Sequence, residues 1–148
     1  MLLFLHMGCF FVGVTALFLA TVASVTLLFQ ERGLKLKKLS RVLNGLPSLE
    51  TLDKLITDSK SKPVVIFKHS TACGISASAY REMEKLEGPV NLLEVQSARD
   101  VSRELADLTG IRHETPQVIV FKDGKAVWNA SHFDVKAGAV AKALESNA

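Results

Sequence analysis

Apolar and polar positions divide the chain at about residue 45. Residues 1–30 hold no Lys, Arg, Asp or Glu, and Met1 to Phe29 is apolar apart from a few Thr, Ser and Gly and one His. The hydrocarbon core of a bilayer takes about 20 such residues as a helix, so this stretch predicts one transmembrane helix, an anchor over residues 1–30. Next, Leu34, Leu36, Leu39, Val42 and Leu43 alternate with Lys and Arg, the pattern of a short amphipathic helix from Leu34 to Asn44 ended by Asn44-Gly45 and Pro47. Residues 31–45 therefore read as a basic juxtamembrane segment, and residues 46–148 as the folded domain.

Within the domain the period changes from element to element. Ser48 is placed to cap a helix carrying Leu49, Leu52, Leu55 and Ile56, which closes before Pro63. Val64 to Lys68 is a β-branched and aromatic run, hence a buried strand. A helix follows from about Gly74 to Glu87, stopped by Gly88-Pro89, and then a strand over Val90 to Val95. Ser97 and Asp100 have capping-box spacing before a helix with Val101, Leu105 and Leu108 that ends at Gly110. Gln117 to Phe121 and Ala126 to Ala130 flank Lys122-Asp123-Gly124-Lys125, a hairpin signal, and Asp134 is placed to cap a last Ala-rich helix reaching about Glu145. A strand, helix and strand in so short a span make a right-handed parallel βαβ unit. The order helix, βαβ, helix, β-hairpin, helix resembles the thioredoxin fold: an α/β class with a four-stranded mixed central sheet flanked by helices, here preceded by the transmembrane helix.

Charge sharpens the division. Glu31 to Gly45 carry a net +4 within a chain of net +3, which leaves −1 from Leu46 onward. The basic balance belongs to one short segment, so nucleic-acid binding by the domain is not expected. Arg32, Lys35, Lys37, Lys38 and Arg41 directly follow the uncharged span, and the positive-inside bias makes this a single-pass membrane protein with its C-terminal domain cytoplasmic. A cleaved signal peptide is the competing reading. It lacks a basic n-region here, and the apolar run continues past Ala23 to Leu27, Leu28 and Phe29.

The chemistry centres on Cys73. It follows the polar Ser70-Thr71 turn where the strand gives way to a helix, and the unpaired N–H groups of a helix's first turn favour a thiolate. Three residues on stands Ser76 instead of a second cysteine, so no internal disulfide can form. His69, four residues before the thiol, is a candidate for biasing its pKa or moving a proton. Lys68 and Arg112 are candidate cationic contacts for the carboxylates of a small thiol. His113 and His132 read as structural loop and strand-end residues, Trp128 as packing on a hairpin strand, and the four His and Cys positions of the domain lack the paired spacing of a metal site. The thioredoxin resemblance implies more for Thr115-Pro116: Pro116 cis against Cys73, and Thr115 offering its backbone to an extended substrate.

Three blocks carry a closer resemblance. Phe67 to Ser76, Arg112-His113-Glu114-Thr115-Pro116-Gln117-Val118 and Phe121 to His132 resemble the monothiol bacilliredoxin family over about Leu49 to Leu144. The resemblance implies removal of bacillithiol from S-thiolated cytoplasmic proteins, with Cys73 accepting the low-molecular-weight thiol, that thiol as co-substrate and no other cofactor or metal. The family usually has proline where this chain has Gly74, and its members usually lack a membrane segment. Cys73-Gly74-Ile75-Ser76 also resembles the Cys-Gly-Phe-Ser of monothiol glutaredoxins, some of which hold an iron–sulfur cluster with glutathione. A membrane-tethered thioredoxin-like binding module without turnover is the third reading.

Overall fold

The computed structural model describes residues 43–148. The expected transmembrane span, and the expected juxtamembrane segment up to Val42, lie outside the described residues, and with them the topology expected from their charges. Among the described residues no helix is long and apolar enough to cross a membrane.

Among the described residues five strands, not four, form one sheet in the order β1-β3-β2-β4-β5. They are β1 (Leu43–Gly45), β2 (Val64–His69), β3 (Val90–Glu94), β4 (Gln117–Lys122) and β5 (Lys125–Ser131). The helices are α1 (Leu49–Asp58), α2 (Gly74–Met83), α3 (Arg99–Thr109) and α4 (Ala137–Ser146), with one 3₁₀ turn at His132–Asp134. β1 and β2 flank β3 in parallel, whereas β4 runs antiparallel to both β2 and β5. The added strand corrects the expectation of helix as far as Asn44. Leu43 and Asn44 pair with Val90 and Asn91, and Leu46 continues the connection by donating its N–H to the Leu92 carbonyl at 2.9 Å.

Alternation along the two central strands builds two cores. Val65 and Phe67 of β2 with Val118 and Val120 of β4 pack under α2 and α4, against Ala79, Met83 and Val140. The intervening Val64, Ile66, Ile119 and Phe121 face α1 and α3, against Leu52, Val101 and Leu105. Both faces of the strands are therefore buried, as period-2 geometry under two helical layers requires.

The element ends follow local hydrogen bonding. Ser48 caps α1, its Oγ accepting from the Thr51 N–H. Gly110 ends α3 with φ 67°, a left-handed conformation that glycine adopts without steric cost. Asp123 and Gly124 take φ 53° and 75°, making a tight turn whose twist suits the β4–β5 hairpin. Two expected caps are absent. Ser97 spends its hydroxyl on the Glu94 carbonyl, so α3 starts after Ala98 with no side-chain cap. Asp134 lies in the 3₁₀ turn, and α4 starts after Lys136. α2 ends at Met83, with turns carrying the chain on to Gly88-Pro89.

Candidate functional site

β2 ends at His69 and α2 begins at Gly74, so four residues make the change of direction. Cys73 is extended, with φ −120° and ψ 122°, yet its carbonyl already accepts the first helical bond from the Ala77 N–H at 3.1 Å. It is thus the N-cap residue of α2, where a side chain faces the orphan amides of the first turn. The thiol is free and half-buried. Its pKa is lowered chiefly by the Ser76 N–H, then by the Ile75 N–H and, against a small opposing effect of burial, by the Ser76 hydroxyl. Ser76 is fully buried, and its Oγ also accepts from the Ser70 N–H at 3.2 Å. The serine that replaces a second cysteine therefore ties the turn before the thiol to the helix after it.

His69 lies on the α2 side of the sheet, its ring centroid 5.7 Å from Phe67 and 5.2 Å from Tyr80. Burial holds its pKa below the ordinary histidine range, with the Glu94 charge and the Ser76 main chain opposing. Its Nδ1 is buried without a hydrogen-bond partner. The groups that lower the Cys73 pKa are the Ser76 and Ile75 amides and the Ser76 hydroxyl. Thr71 is exposed in the turn, and Gly74 is an exposed first helical residue with open space where a Cβ would stand.

The Thr115–Pro116 peptide is cis. The β2–β4 ladder begins at Lys68 and Gln117, which leaves Thr115 just outside it, at the end of the sheet where β2 delivers Cys73. Pro116 is buried and accepts the His132 N–H on its carbonyl at 2.9 Å. That bond fixes the 3₁₀ turn, from which Phe133 extends at 70 % exposure. The Thr115 hydroxyl is buried without a partner.

Lys68, a candidate cationic contact, is buried in the sheet. It shares a sheet face with Val64 and Ile66 and is 1 % exposed. Its Nζ donates to His113 Nδ1 at 2.8 Å and to Gln117 Oε1 at 3.0 Å. Gln117 in turn donates to the Arg112 carbonyl at 3.0 Å. Burial pushes the Lys68 pKa down to about 8, with the Glu114 charge opposing. Burial and the Lys68 charge hold His113 below the ordinary histidine range. Arg112 is exposed on the same loop, where it helps lower the Glu114 pKa after the larger effect of the Ser131 hydroxyl. His113 is thus a partner of Lys68 and not a bystander, and Gln117, Ser102 and Gln96 join the site without having been singled out. One signal was available: a lysine two residues after Ile66 shares its face, so it must be buried and must find acceptors. Among the described residues no three His, Cys, Asp or Glu side chains stand together as a metal-binding group.

Comparisons with known proteins agree with this arrangement. A solved structure provisionally described as an oxidoreductase with a thioredoxin fold is 35 % identical, with a TM-score of 0.65 over 69 % of this chain and 93 % of that one. The thioredoxin of Fasciola hepatica is 18 % identical at a TM-score of 0.58, covering 71 % of this chain and 99 % of its own. Mitochondrial thioredoxin 3 of Saccharomyces cerevisiae in its oxidised form is 19 % identical at 0.56, covering 70 % and 94 %. These two share the fold. The model of the monothiol bacilliredoxin family, BrxC, matches residues 44–140. Taken with the 35 % identical structure, it supports a thiol oxidoreductase-like function. With about two thirds of its length matched, including Cys73, the cis-proline loop and the hairpin, the chain belongs to the monothiol bacilliredoxin BrxC family.

Proposed function

We propose that the protein is a monothiol thiol–disulfide oxidoreductase that removes a low-molecular-weight thiol, bacillithiol, from S-thiolated proteins through Cys73. The observation that carries this reading is the Cys73 thiol at the N-cap of α2, its pKa lowered by the Ser76 and Ile75 amides. The thiolate attacks the small-thiol sulfur of the mixed disulfide. A bond forms between that sulfur and Cys73 Sγ, the old S–S bond breaks, and the protein thiolate leaves with the electron pair and takes a proton from water. A second small thiol then releases Cys73 by the same exchange. Thr115, ahead of the β4 ladder, offers its main chain to the extended substrate segment, and Ser76 cannot resolve the adduct internally. No bound cofactor enters these steps. The reading includes the sequence-based expectation of a domain tethered at the cytoplasmic face of a membrane.

Incubation with an S-bacillithiolated protein should leave a single small thiol on Cys73, read as one mass increment and reversed by added thiol. Cys73→Ala should abolish the exchange. Ser76→Cys should divert the adduct to an internal disulfide. An unmodified Cys73 in a protein that leaves its substrate thiolated would favour a binding module without turnover.

A further inference from the structure

Beside the thiol the fold opens a second feature that the exchange reaction by itself does not require. Val95, Gln96, Arg99, Ser102, Arg103 and His113 line an open pocket of about 340 Å³. Arg99, Ser102 and Arg103 lie three and four residues apart on one face of α3, and His113 comes from the loop that leads to the cis-proline. Every ionisable residue of this lining is a nitrogen base, and no carboxylate is among them. Asp100 and Glu104 lie on α3 outside the lining, and Glu114 of the neighbouring loop is engaged by Ser131, His132 and Arg112.

The back of the pocket is also cationic. Lys68 Nζ stands 2.8 Å from His113 Nδ1, and as an ammonium it can only donate. The neutral imidazole therefore carries its proton on Nε2, as a donor. The first turn of α3 has no side-chain cap, so its amide end adds to the same field.

The pocket is joined to the thiol through its wall. Gln96 Nε2 donates to Ser70 Oγ at 2.7 Å, and the Ser70 N–H donates to Ser76 Oγ at 3.2 Å. Ser76 is the residue whose amide and hydroxyl lower the Cys73 pKa. A ligand seated here thus lies against the turn that carries the nucleophile.

We propose that Arg99, Arg103 and His113 of this pocket hold the carboxylate arm of the small thiol that exchanges at Cys73; the proposal rests on the function proposed above. Planar guanidinium groups match carboxylates in pairs of hydrogen bonds, and two arginines one helical turn apart can clamp a single arm. The neutral His113 supplies a third donor without a third charge.

The test uses the full chain and two symmetric disulfides of similar length: dithiodipropionate, whose halves each carry a carboxylate, and neutral bis-hydroxyethyl disulfide. In either case the Cys73 thiolate attacks one sulfur, a Cys73 mixed disulfide forms, and the other half leaves as a thiolate that water protonates. The readout is the ratio of the two rates of adduct formation, followed by intact mass at neutral pH. The acidic disulfide should be favoured at least ~5-fold at low ionic strength, and the ratio should fall as salt rises. Arg99→Gln with Arg103→Gln should bring it close to one, while Arg99→Lys with Arg103→Lys should retain part of the preference. A ratio near one in the unaltered protein, or a preference that survives the double glutamine variant, overturns the pocket. Failure of both disulfides to modify Cys73 overturns the underlying exchange reaction instead.

Discussion

At the scale of single residues, Ser76 bears on the thiol whereas Gly74 bears on the start of the helix. Ser76 acts on Cys73 first through its main-chain N–H and only last through its hydroxyl. Alanine keeps the first and loses the second, so Ser76→Ala should raise the Cys73 pKa part of the way toward that of a free cysteine and no further. The same change leaves the Ser70 N–H without its 3.2 Å acceptor at a fully buried side chain, which should cost about 1 kcal/mol of stability. Alkylation rate against pH, read beside a urea melt, separates the two effects; an unmoved alkylation midpoint would show that the hydroxyl does not reach the thiolate. Gly74 is a different case. It is the first residue of α2, its backbone is not in the left-handed region, and nothing stands where a Cβ would be. The amides that lower the thiol pKa belong to Ile75 and Ser76, so the N–H that proline removes is not among them. Gly74→Pro should therefore raise the melting midpoint, by about 0.4–1 kcal/mol of stability, and leave the alkylation midpoint in place. A lower melting midpoint would mean that glycine is needed here for a close approach, as a cluster-binding relative would need it.

At the scale of elements, the β2–β4 ladder ends on one buried charge. Lys68 and Gln117 are direct partners in the ladder, and Nζ holds both Gln117 and His113. Through Gln117 the same link reaches the Arg112 carbonyl, so the loop before the cis-proline is tied to the interior of the sheet. This arrangement carries a pH signature. The folded-state pKa of Lys68 is about 8. An unfolded lysine keeps its proton to about pH 10.4. Between those values the unfolded chain binds more protons than the folded one, so stability must rise with pH, by at most about 3 kcal/mol from this residue. Cys73, with its lowered pKa, adds a rise of the same sign below its unfolded value, whereas Tyr80, whose pKa is raised by burial, opposes above about pH 10. The informative window is therefore about pH 8.5 to 10. Urea unfolding across it, compared with Lys68→Met, should show a slope in the original protein that the variant lacks. Equal slopes would mean that Lys68 does not titrate there.

At the scale of the whole molecule, what was legible in the sequence follows from where each element's stability originates. β2, β4 and the hairpin announce themselves because their own residues alternate between two cores or demand a left-handed turn, as Asp123-Gly124 does. The placement of Cys73 and Pro116 at one end of the sheet follows from those elements. The three-residue β1 shows no period of its own and exists through pairing with β3, a contact 47 residues away in register at Leu43 and Val90. The pocket beside α3 was equally hidden, since Gln96 and His113 reach it from separate loops. The misjudged strand leads to the last prediction. A chain beginning at Leu46, the start that periodicity alone suggested for the domain, would lack β1 and leave β3 as a sheet edge with unpaired N–H and C=O groups. Leu46 itself, 2 % exposed and packed with Leu52 and Leu93, would lose the strand that aims it into the core while its N–H bond to Leu92 becomes a frayed terminus. Relative to a chain beginning at Lys38, it should be less stable by about 1–3 kcal/mol, the scale of a few ladder bonds and one weakened core contact, and should show more concentration-dependent association. Matched urea melts and light scattering of the two chains decide the matter: coincident curves would mean that β1 adds nothing to the fold it borders.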